Sequence, residues 1–123
     1  MSNEPQRVTV PRHSVPWHRH REAERLAVWA EQHTRDGAHD AARRCYLAAA
    51  DREAMAFDAI PTDRVRTRGI IAVSAVALYL RAEAHQEGAE RARHYLTLGL
   101  PEEAVAQIAS MLRKMEGEHD GAR

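Results

Sequence analysis

The sequence has a single cysteine, Cys45, so no disulfide within its 123 residues can staple the fold. A lone thiol fits a reducing, cytoplasmic setting. Lysine is nearly absent as well: Lys114 stands alone among 18 basic residues, and the rest are arginine. With the abundance of alanine, this bias reads as GC-rich coding and a bacterial source before it reads as a functional arginine cluster. There is no excess of charge of either sign, since 18 acidic residues balance the basic ones. A general polyanion binder needs a basic surplus, so nucleic acid is not the expected partner. Zero net charge also removes the repulsion that keeps copies apart, which favours self-association. The eight histidines add positive charge only as pH falls towards about 6. No long hydrophobic run is present. The longest, Ile70 to Leu80, is about half of what a membrane span needs, and the N-terminus lacks the apolar segment of a signal peptide. No membrane partner is expected.

Familiar catalytic signatures are missing too. There is no HExxH, no CxxC, no Gly-rich phosphate loop, no GxSxG and no paired-carboxylate motif. The expectation is a protein that is not an enzyme and carries no cofactor.

What is present is helical periodicity. The length suits one domain. Residues 1–16 contain Pro5, Pro11 and Pro16 and no helical period, and read as an extended N-terminal arm. Residues 17–116 read as an all-α domain of about five helices, and residues 117–123 as a disordered polar tail. A first helix runs from Trp17 to Arg35 with Leu26, Trp29, Ala30 and His33 at spacings of three and four. Asp36-Gly37 stops it. A second runs from Ala38 to Phe57, with Ala42, Cys45, Tyr46, Ala49, Glu53 and Phe57 on one mostly apolar face. Pro61 closes it, and Thr62 or Asp63 can cap a third helix that extends to Ala84. That third helix is apolar on nearly all sides, which places it centrally. A fourth covers Gln86 to Leu98 and stops at Gly99. Pro101 opens a fifth, with Glu102 and Glu103 complementing its dipole. Ala104, Ile108, Met111, Leu112 and Met115 are its apolar stripe.

The first helix pair resembles one tetratricopeptide repeat (TPR). Ala30 and Gly37 match the small residues of the first helix and turn. Ala42, Tyr46 and Ala49 match the small–aromatic–small set of the second. Tyr79, Gly88, Ala92, Tyr95 and Leu96 resemble a degenerate second repeat, with Glu83 where the turn glycine belongs. The offset from Gly37 to Glu83 is 46 residues rather than the usual ~34. The resemblance implies TPR-like antiparallel helix hairpins capped by the fifth helix, and a peptide-binding groove. On that register Ile70, Val73, Ala77, Leu80 and Arg81 line the groove. Glu24, Ala27, Glu31, Thr34 and Arg35 line its other wall. A greasy wall facing a charged one suits an amphipathic helix or an extended peptide. The alternatives are that the arm or a second copy covers the face, or that the register differs.

The expected partner is therefore a protein or peptide, encoded nearby by analogy with small adaptors, and a homodimer is expected. Trp17, Trp29 and Tyr46 would serve as anchors or close the core. The rival class is anion or nucleic-acid binding through Arg64, Arg66 and Arg68, with Arg12, Arg19 and Arg21. Arginines at a helix N-terminus oppose its dipole, so Asp58 and Asp63 are expected to neutralise them. His13, His18 and His20 read as polar arm residues beside Trp17, with a metal site as the sharper alternative. Cys45 reads as a core residue.

Overall fold

The computed structural model describes residues 15–121. The side chains from 118 onward are outside the described set, and so are His13 and most of the arm. Five helices follow in order: α1 (Val15–Arg35), α2 (His39–Ala59), α3 (Val65–Arg81), α4 (His85–Tyr95) and α5 (Glu102–Gly121). No strand occurs among the described residues. The all-α expectation holds, and the boundaries shift. Val15 and Pro16, expected in the arm, form the first turn of α1, where a missing N–H costs nothing. Neither Thr62 nor Asp63 caps α3: the cap is Arg64, and its side chain makes no cap hydrogen bond. From Gly117 the polar stretch expected as tail continues as helix to Gly121.

Alanines set the spacing of the helices. Ala23 and Ala30 of α1 are buried against α2, whose own buried face carries Ala42, Ala49 and Ala50. Small side chains bring two backbones close, so the larger rings collect elsewhere. The main core lies where α2, α3, α4 and α5 converge, around Phe57, Val76, Tyr95, Ile108 and Met115. A smaller cluster, Ala30, Tyr46 and Ala82, joins α1 to the end of α3. Cys45 packs half-buried beside it as a free thiol. Trp29 departs from expectation: it is 62% exposed. The buried line of α1 runs through Ala23 and Ala30, and Trp29 sits off it.

The two hairpin turns are built alike. After α1, Gly37 N–H donates to Thr34 O and Ala38 N–H to His33 O. After α3, Glu83 N–H donates to Leu80 O and Ala84 N–H to Tyr79 O. This pairing closes a helix through one left-handed residue. Gly37 has φ +79 and Glu83 has φ +59. Glutamate takes the left-handed conformation at a cost of about 1–2 kcal/mol that glycine avoids. Glu83→Gly is therefore expected to stabilise the fold by about 0.5–1 kcal/mol, after glycine's greater freedom in the unfolded chain is subtracted. The Arg43–Glu83 contact it removes is long, 3.8 Å, and exposed. Chemical denaturation midpoints of the two proteins measure the difference, and a loss of stability would count against the shared turn geometry.

Candidate functional site

Polar bridges fix how α1 lies relative to α3, and close packing at Gly69 fixes how α5 does. His20 and Ser74 meet on one carboxylate, and Glu31 meets Arg81 further along, so α1 and α3 run in the same direction. Gly69 touches Pro101 and Ala104, and Val73 and Ala77 face Gln107 and Met111, so α3 and α5 do too. A Cβ added at Gly69 would lie 3.0 Å from Pro101 Cδ, so the start of α3 approaches α5 closely.

Beyond that close approach the two helices leave an open groove of about 400 Å³. Val73 and Ala77 form one wall and Ala106, Gln107, Ser110 and Met111 the other. Ile70, one turn earlier on α3, is 67% exposed. This groove is lined by α3 and α5, while Glu31 of the expected α1 wall meets α3 at Arg81.

Three of the expected contact residues, Ile70, Val73 and Ala77, therefore come together. Val73 and Leu80 are half-buried and lean on the main core, so each has a structural duty as well. Arg81 pairs with Glu31 at 3.9 Å and stacks 5.9 Å from the Tyr46 ring. Arg35 turns back along α1 to Gln32 at 2.7 Å. Trp17 is 41% exposed at the start of α1, with its ring edge-on to His20 at 5.8 Å.

The arginine set does not stay together. Arg64 and Arg66 are exposed, but Arg68 turns inward and lies over the Phe57 ring at 4.5 Å. Its Nε is buried without a hydrogen-bond partner. None of the three pairs with Asp58 or Asp63. Among the described residues no group of three or more His, Cys, Asp or Glu is placed to hold a metal ion.

Periodicity does not reveal the polar cluster under α1. Glu53 is 1% exposed, on the apolar face of α2. His20 Nδ1 lies 3.0 and 3.1 Å from its two carboxylate oxygens, and Ser74 of α3 hydrogen-bonds to it as well. His20 Nε2 faces Glu24 at 3.2 Å. Burial pushes the Glu53 carboxyl above its ordinary value, and the bonds to Ser74 and His20 oppose that shift. The clue in the sequence is one acid in an otherwise apolar stripe.

A second cavity of about 300 Å³ lies on another side of α3. Asp51, Tyr79, Glu87, Glu90, Arg91 and His94 line it. Tyr79 donates to Asp51 at 2.8 Å, and its phenol is pushed up to about 12, first by burial and then by that carboxylate.

No protein-family model, curated protein or solved structure matches this chain. Among the described residues no helix is long and apolar enough to cross a membrane.

Proposed function

We propose that the chain is a non-catalytic interaction module with TPR-like hairpins, which captures a short amphipathic helix or extended peptide along the α3–α5 groove. The observation that carries this reading is Ile70, left two-thirds exposed at the head of an apolar groove. An exposed aliphatic side chain continuous with a groove is what helix-in-groove recognition uses for its anchors. Gln107 and Ser110 on the α5 wall offer hydrogen-bonding groups that would fix the orientation of a bound segment. A second copy presenting its own apolar side chains would use the same face, which is how self-association enters the proposal. A bacterial, cytoplasmic adaptor is the setting that the free Cys45 and the arginine bias favour.

Ile70→Asp tests the reading directly. The residue is exposed, so the fold should stay intact by circular dichroism and melt within about 0.5 kcal/mol of the parent. Peptides selected by display against the parent should lose about tenfold or more in affinity for the variant. Any dimer seen by light scattering should dissociate. Peptides that bind both proteins equally well would place recognition elsewhere.

Anion binding is less well supported, because Arg68 is committed to Phe57, which leaves Arg64 and Arg66 of that trio for a phosphate. A salt titration of DNA or RNA binding checks it, since two phosphate contacts give a slope of only about −2.

A further inference from the structure

A carboxylate that is 1% exposed is rare in a core of alanine and aliphatic side chains, and it needs a partner to be tolerable there. Glu53 has two, one from each neighbouring helix. His20 comes from α1 and Ser74 from α3. The histidine in turn stands between two carboxylates, Glu53 at 3.0 Å on Nδ1 and Glu24 at 3.2 Å on Nε2. A neutral imidazole carries one N–H and can donate to one of them. Its other nitrogen then presents a lone pair to a carboxylate. Only the imidazolium donates to both.

The remaining charges nearby do not relieve this. Arg19 and Arg52 both pair with Glu22, at 3.2 Å each, on the other flank of α1. From α1 the cluster is faced by Glu24 and the edge of the Trp17 ring, from α2 by Glu53, and from α3 by Ser74. His20 is thus the one cation source among these facing groups, and its side chain is 27% exposed, so protons reach it.

We propose that His20 is a protonation-operated latch, which clamps the first half of α1 to α2 and α3 when its ring is charged and lets that half loosen when the ring is neutral. Trp17 packs edge-on against His20, so the latch also sets where this indole sits on the surface of α1. The direction with pH follows from the geometry: only the charged ring donates to Glu53 and Glu24 together, so α1 is looser at higher pH, where the ring is neutral.

Amide hydrogen exchange followed by mass spectrometry reads this segment by segment. The full chain is compared at about pH 5.5 and about pH 8.5, either side of the ordinary histidine value of about 6.5, with intrinsic exchange rates divided out. Protection in the first half of α1 is expected to fall about tenfold at the higher pH, while α3 and α5 hold theirs. His20→Gln cannot take up the proton and should show the same low protection at both values. His20→Lys keeps a cation across the window and should also show no step, which keeps the test open should the glutamine variant fail to fold. Three results each overturn the latch: equal protection of α1 in the parent at both pH values, a loss shared by all helices, or a step of the same size in a folded His20 variant.

Discussion

Phe57→Ala is expected to cost about 3–5 kcal/mol, the usual range for deleting a fully buried ring. Phe57 is 1% exposed on α2 and sits where α3, α4 and α5 converge. Tyr95 packs against it with ring centroids 4.5 Å apart, and the Arg68 guanidinium lies over its face at the same distance. Removing the ring opens a cavity between these helices. It also takes from Arg68 the aromatic surface that compensates a buried, unpartnered Nε. Domains of this size have about 5–15 kcal/mol in total, so the loss is a large share of the whole. Thermal melting should fall by roughly 10–20 °C. Met55→Ala is the control. It lies two residues away on the same helix, is 43% exposed, and should change stability by less than about 0.5 kcal/mol. A difference between the two variants of under about 1 kcal/mol would mean that this convergence is not the centre of the core.

The contrast between Phe57 and Met55 is legible in the sequence, because helical period alone puts one inside and the other outside. So is the order of the five helices. Gly37, Pro61 and Pro101 are punctuation that acts locally, and each stands within two residues of a helix end, whereas the helix expected to stop at Gly99 already ends at Tyr95. What the period cannot supply is which helix covers which flank. Trp29 belongs to the amphipathic pattern of α1, yet it stays 62% exposed, since α2 meets α1 through Ala23 and Ala30 instead. The groove suffers the same uncertainty. Its α3 wall follows from an apolar helix with an exposed stripe. Its second wall depends on the approach of α5 at Gly69, a contact between residues more than thirty positions apart. Glu53 is visible as the odd residue in an apolar stripe, but its partner His20 is 33 residues away on another helix. Local patterns identify the residue that needs compensation. Only tertiary packing identifies the residue that gives it.

Gly88→Val is expected to destabilise the protein by about 3 kcal/mol, against what position in a helix alone would suggest. Glycine within a helix is worse than alanine by about 1 kcal/mol, so replacing it normally helps. Here a Cβ at residue 88 of α4 would stand 2.6 Å from Met115 Sδ and 2.8 Å from Tyr79 Cβ. The methionine can move, because its thioether end is flexible. The Tyr79 Cβ cannot, because it is bonded to the backbone of α3, and its phenol is tied to Asp51 at 2.8 Å. Relief therefore requires α4 to move off α3, which opens the core around Ala92 and Tyr95. Overpacking of this kind costs about 1–3 kcal/mol, and a β-branched side chain belongs at the upper end. Gly117 supplies the opposite case within the same protein. It lies in α5 with nothing within 4 Å of an added Cβ, so Gly117→Ala should stabilise by up to about 1 kcal/mol. Denaturation of the pair gives two shifts of opposite sign. If Gly88→Ala raised stability as Gly117→Ala does, α3 and α4 could not lie as close as the structure places them.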